Sequence, residues 1–246
     1  MEQVKPFSDD RIRQACVYCG GAIGTRDHVP SRVLLDEPFP DNLPVVDACS
    51  GCNSGFSDDE MYVACLVDVV QASIADPDLV PRKKIGRILR EQTLLRDKLA
   101  RARHVNDGVV SFDVESARVR NVLLKLARGH AAFELDERRR GEPVRVTMIP
   151  LAALAPAARA AFETPPLVSV FPEVGSRAMQ RMSVASVTLM AAEDPSRAVE
   201  KQLILGADWI QVQRNRYRYL AVALDSGELV VRIVLSEYLC CEVIWN

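Results

Sequence analysis

The sequence predicts an α+β fold: a small zinc-stabilised ββα finger at the N-terminal end, a helical middle, and a C-terminal α+β region ending in an antiparallel meander. Three observations carry this. Two C-x-x-C pairs, Cys16-Val17-Tyr18-Cys19 and Cys49-Ser50-Gly51-Cys52, bracket two short apolar runs. Apolar residues recur at helical spacing through the stretch from residue 57 to residue 135. From residue 209 to the end, short β-prone runs alternate with turn residues. Together these divide the chain into residues 1–75, 76–140 and 141–246.

The finger is read from its cysteines. Two C-x-x-C pairs with no signal-like segment before them read as a four-thiolate tetrahedral zinc site of the structural kind. Gly20, Gly21 and Gly24 suggest a knuckle turning into a hairpin, with Asp27 and His28 near the end of its first arm and Pro30 closing it. Residues 43–46 supply the second strand, and Ser50 is the expected N-cap of a short helix bearing Cys52 and Asn53. Residues 1–14 form a polar lead-in without a motif, and residues 35–41, rich in proline and acid, read as a loop insertion.

In the middle, Ser57 and Glu60 have capping-box spacing ahead of a helix over residues 57–74, with Cys65 on its apolar face as core. Pro81 opens another helix with a stripe of Ile85, Ile88, Leu89, Gln92, Leu95 and Leu99. Its other face is basic, from Arg82 to Arg103, and reads equally as a solvated face or as a phosphate-tracking surface. A turn at Asn106-Asp107-Gly108 and a strand over 109–114 precede a helix over 115–135. On that helix Val119, Val122, Leu123, Leu126, His130 and Phe133 share one side, with His130 as a core histidine; His104 has no assigned role. Arg138-Arg139-Arg140-Gly141 marks the next boundary.

Beyond it, strands are expected over 144–149, 167–171 and 184–190, with a short helix over 156–162. Residues 196–205 read as helix or as strand. The meander comprises 209–212, 217–224, 229–235 and 238–245. Arg214, Arg216 and Arg218 would share one face of a strand, either as a basic ribbon on phosphates or as the charged side of an edge strand.

With 48% hydrophobic residues in 246, the chain can bury a sizeable core. No apolar run is long enough to span a membrane, and Met1-Glu2-Gln3-Val4-Lys5-Pro6 lacks a signal peptide's apolar core, so a cytoplasmic protein with no membrane partner is expected. Of seven cysteines, the three outside the pairs, Cys65, Cys240 and Cys241, are expected as buried thiols. A formal net charge of -2 decides nothing about nucleic acid, because clustering and not the sum governs binding.

Asp27, His28 and Asn53 are the residue types a metal-dependent phosphodiesterase needs: two oxygen ligands suited to Mg²⁺ or Mn²⁺, and one imidazole base. Asp27-His28, Asn42-Leu43 and Cys49 to Asn53 resemble, in order, the motifs of the HNH endonucleases with the ββα-metal finger, and specifically the subgroup with four zinc cysteines and Asn at the last motif position. The resemblance covers about a quarter of the chain. It implies a structural zinc on Cys16, Cys19, Cys49 and Cys52, a catalytic Mg²⁺ or Mn²⁺ on Asp27 and Asn53, His28 as general base, a positioning role for Asn42, and nucleic acid, DNA first, as substrate. Phe56 stands where many members carry Lys. Phage defence or DNA processing, and a homo-oligomer or a regulatory protein partner, are compatible with this. The alternative is a zinc-ribbon module that binds nucleic acid or protein and has lost the chemistry.

Overall fold

The computed structural model describes residues 15–168, 171–172, 175–191, 194–205 and 208–246. The lead-in 1–14 lies outside them, as does the middle of the strand expected over 167–171.

Strand β1 (Thr25–His28) pairs antiparallel with β2 (Val45–Ala48), placing Asp27 opposite Val46 and His28 opposite Val45. Helix α1 (Ser50–Gly55) completes a ββα unit. Its N-cap is Cys49 and not the expected Ser50: the Cys49 Sγ accepts the Cys52 N–H at 3.3 Å. A sulfur at this position can thus serve the helix end and the cysteine cluster together.

Helix α2 (Ser57–Ala72) follows after Phe56 alone, and Phe56 keeps right-handed helical angles. The chain therefore never opens into the extended conformation a capping box needs, and Ser57 lies inside the helix as its first residue. Cys65 is fully buried on α2, as expected of core.

The long helix expected after Pro81 is two helices, α3 (Lys83–Glu91) and α4 (Thr93–Arg101). Gln92, at φ -98° and ψ 68°, breaks the stripe in which it was counted. Splitting the helix lets Ile85 and Leu89 on α3 and Leu99 on α4 all bury in the main core. An unanticipated strand β3 (Arg103–Asn106) pairs with β4 (Val109–Phe112) across Asp107-Gly108. Both turn residues have positive φ, 50° and 78°, the primed geometry that suits Asp-Gly hairpins.

Helix α5 (Ser116–Leu135) runs through the middle of the molecule. It packs on α2 and β2 on one side and on the large sheet on the other. Val122, Leu123, Leu126, Ala127 and Ala131 are inaccessible, so the helix is buried on more than the one side expected of it. Gly129 is what lets the finger approach: a Cβ there would lie 2.7 Å from Val29 Cγ2.

The C-terminal region comprises β5 (Arg145–Pro150), α6 (Pro156–Glu163), a short α7 (Arg177–Gln180), β6 (Ser183–Ala191), β7 (Asp194–Leu205), β8 (Ile210–Gln213), β9 (Tyr217–Ala223), β10 (Leu229–Leu235) and β11 (Leu239–Trp245). Residues 196–205 are thus strand. Strands β6 and β7 form their own hairpin, and the others form a five-stranded antiparallel sheet ordered β5-β11-β10-β9-β8. Period-two alternation puts Tyr219, Val231 and Cys241 into the core shared with α5, while Val234 and Cys240 point to the other face, against Phe162 of α6. His130 is the expected core histidine: its Nε2 lies 2.6 Å from the Tyr217 hydroxyl and its ring stacks on Tyr219. Burial holds it well below the usual histidine range, so it is neutral.

One hydrophobic cluster draws residues from all three expected segments, from Cys16 to Trp245. The proline-rich 35–41 loop adds polar ties, since Asp36 N–H donates to Gln213 Oε1 at 2.8 Å and Gln213 Nε2 donates to the Asp36 carbonyl at 2.9 Å. Among the described residues no helix is long and apolar enough to cross a membrane.

Candidate metal centre and functional site

The first cysteine pair sits on a tight reversal. Gly20, at φ 81°, lets its N–H reach the Cys16 carbonyl at 2.9 Å while Cys16 N–H reaches the Gly21 carbonyl at 2.7 Å. The β1–β2 register then brings Cys49 back beside it. The Sγ atoms of Cys16, Cys19, Cys49 and Cys52 all lie within 4.8 Å of one another, the only such group of three or more His, Cys, Asp or Glu among the described residues. Cys19 and Cys49 are 3.7 Å apart at sulfur. A tetrahedral site with Zn–S near 2.3 Å has sulfur–sulfur edges of about 3.8 Å, so the cluster fits a structural zinc. Burial pushes the Cys16 thiol up, yet backbone N–H groups of Cys49, Cys19 and Tyr18 outweigh it and bring the thiol down to about 7. Cys52 is pushed up by burial and by the neighbouring thiols. Purified protein is therefore expected to carry one zinc per chain by plasma mass spectrometry. Cys16→Ser and Cys52→Ser are expected to lose the metal and melt at lower temperature; zinc-free wild type, with both variants melting as it does, would dissociate the cluster from any metal.

Asp27, on the core face of β1, is buried, and its surroundings are charged. Its Oδ2 accepts from the Tyr18 hydroxyl at 2.7 Å and from Lys125 Nζ at 2.7 Å. Lys125 comes from α5, is inaccessible, and also binds Glu60 of α2, which accepts from the Ser31 hydroxyl. The rings of Phe56 and Tyr18 lie beside the ammonium, their centroids 5.7 and 5.8 Å away. Position 56 thus contributes a ring where the resemblance leads one to expect a cation, and a cation arrives beside that ring from another helix. It is too deeply buried to touch a substrate. Tyr18 and Lys125 both lie at Asp27 Oδ2, and Oδ1 makes no hydrogen bond with the described residues, which leaves that oxygen for a cation.

His28 is on the opposite face of β1, half-buried, with Arg32 Nη2 3.2 Å from its Nε2. Arginine can only donate, so Nε2 accepts and the ring is neutral with its proton on Nδ1. Burial first, and Arg32 second, hold its pKa below the ordinary histidine value. Asn53, projected from α1 toward β1, donates through Nδ2 to Thr25 Oγ1 at 2.9 Å and to the Arg26 carbonyl at 3.3 Å. With its amino end spent on the strand, its carbonyl oxygen is the end left for a ligand. Asn42 is exposed and makes no side-chain hydrogen bond with the described residues, so its expected positioning role has no visible contact.

The expected basic surfaces are rearranged. Arg82 is not on a solvated face: it is buried and bonded to Asp36, Asp68 and the carbonyls of Val33 and Leu35. Arg214 and Asn215 lie in the turn before β9, and Arg216 just precedes that strand, so the three arginines do not line one strand face. Strand β9 is flanked on both sides, so it is no charged edge either. Arg216 binds Asp36, and Arg218 binds Glu237.

The sequence assigns Lys125, Glu60, Tyr18 and Arg32 no part in the site. The available signal was Lys125 itself, a charged residue between Leu124 and Leu126 in a helix whose flanking positions are apolar on both sides. No protein-family description, curated protein or solved structure matches this chain.

Proposed function

We propose that the chain is a metal-dependent endonuclease of the HNH type that hydrolyses phosphodiester bonds in DNA. The observation that supports this reading is that Asp27 and His28, on opposite faces of β1, and Asn53 of α1 all belong to one ββα unit that carries the four-cysteine cluster. Asp27 Oδ1 and the Asn53 side-chain oxygen would hold Mg²⁺ or Mn²⁺, both hard cations that prefer oxygen. Such an ion supplies stabilisation of charge on the phosphoryl and leaving oxygens. His28, kept neutral by burial and by Arg32, can accept a proton from the attacking water once Arg32 moves off Nε2. Lys125 and Tyr18 fix the Asp27 carboxylate by holding its other oxygen.

The test is plasmid nicking by the purified chain with Mg²⁺, with Mn²⁺, and with no added divalent ion. Metal-dependent conversion of supercoiled to open-circular DNA is expected. A second reading is favoured by one contact: Lys125 already neutralises Asp27, which weakens the pull on a divalent cation. Complete inactivity with both metals would assign the chain to a zinc-stabilised module that binds nucleic acid or protein.

A further inference from the structure

Most of the cations from Arg82 to Arg103 have a polar partner, as Arg82 does in Asp36 and Asp68. Arg90 pairs with Asp78, Arg96 with Asp97 and Lys98 with Glu115, while Arg101 and Arg103 donate to the carbonyls of Asp97 and Ser73. Lys83 and Arg87 are different. They are exposed, stand one turn apart on α3, and have no acidic partner among the described residues.

Both line an open cleft of about 400 Å³ between the start of α3 and the 36–37 loop. Lys84, Arg82 and Arg216 add three more cations to its wall. Among the described residues that line the cleft, two are carboxylates. Asp36 is already held by Arg82 and by Arg216, each at 2.6 Å, and these bonds outweigh burial to keep its pKa low. Glu37 is the other. The cleft therefore retains positive charge, and the uncapped first turn of α3 adds partial positive charge at the same end. An open channel walled by long cationic side chains suits an extended polyanion running through it, and does not suit an enclosed small molecule.

The cleft also adjoins the site. Lys84 Nζ donates to the Arg32 carbonyl at 2.8 Å, and the Arg32 guanidinium lies 3.2 Å from His28 Nε2. Lys84 and Arg32 both lie over the Phe39 ring. One residue, Arg32, thus separates the imidazole from the cationic wall.

We propose that this cleft binds the phosphodiester backbone of the DNA strand flanking the bond presented to His28, with Lys83 and Arg87 as the principal phosphate contacts. It rests on the endonuclease reading for its substrate, and its test is separable from that reading. Binding of a fluorescein-labelled DNA duplex is measured by anisotropy without added divalent ion, over a range of salt. Lys83→Ala/Arg87→Ala is expected to weaken binding and to reduce the slope of log affinity against log salt by up to about two, near one for each lost phosphate contact. Arg96→Ala/Lys98→Ala, which removes two cations already paired, is expected to leave the slope close to wild type. An unchanged slope in the first variant, an equal loss in the second, or no duplex binding by wild type overturns the proposal. Nicking then judges the other reading separately. A reduced slope in a chain that never cleaves keeps the cleft and removes the nuclease, whereas cleavage with an unchanged slope does the reverse.

Discussion

His28→Ala is expected to nick plasmid at least ~10²-fold more slowly than wild type, the lower end of what a general base contributes, with zinc content and melting temperature unchanged. The His28 ring is half-buried on the face of β1 away from the core, and its one described hydrogen bond is to Arg32, so truncation removes a proton acceptor without emptying the core. Four thiolates suffice for a tetrahedral zinc, so zinc binding would not depend on it. Asn53→Ala is expected to behave differently, raising the Mg²⁺ concentration needed for cleavage because it would remove one of the two proposed oxygen ligands. Asp27→Ala is a poorer probe than its motif position suggests, since it also strips Lys125 and Tyr18 of their shared acceptor. Cleavage by His28→Ala at the wild-type rate would remove the imidazole from the chemistry.

Lys125→Met is expected to destabilise the fold by about 3–5 kcal/mol, the usual cost of leaving a buried charge without its partner. In a chain of this size that corresponds to a fall in melting temperature on the order of 10 °C. Methionine lacks only the terminal atom of the lysine side chain, so the loss measures charge far more than a cavity. With the ammonium gone, Asp27 keeps the Tyr18 hydroxyl and Glu60 keeps the Ser31 hydroxyl, but two buried carboxylates then face each other without a cation. Adding Glu60→Gln to Lys125→Met is expected to recover part of the stability, because it removes one of the two stranded charges. Thermal melts followed by circular dichroism check both changes. A Lys125→Met protein that melts as wild type would show that the carboxylates need no counter-ion.

The finger was legible because its constraints are local. The cysteine spacing, the glycines after Cys19 and the short run before Cys49 fix a hairpin and a helix within one stretch of chain, and the structure places β1, β2 and α1 there. The meander was legible for a similar reason, since period two and the turn residues at 213–216 and 225–227 specify adjacent strands. The break at Gln92 was not, because an amphipathic stripe reports which residues want burial and not whether a straight rod can bury them all. The network around Asp27 was hidden for another reason. Tyr18, Glu60 and Lys125 come from a knuckle, α2 and α5, and nothing in their spacing announces that they meet. Arg82 was misplaced by the same blindness: its partners Asp36 and Asp68 lie far from it in sequence, so it read as surface charge.

One helix binds both halves of the molecule, and this limits how the finger can be moved between proteins. Along α5, Lys125 meets Asp27, Gly129 admits Val29, His130 meets Tyr217 and Glu134 meets Tyr219 and Arg181. Arg140, just beyond it, donates to the Cys16 carbonyl. A cassette cut after residue 75 would carry every motif residue yet strand Asp27 and Glu60 as uncompensated anions and expose the apolar side of α2. Transplanting this finger as a working unit means transplanting α5 with it, or redesigning the interior of the graft so that both carboxylates become neutral.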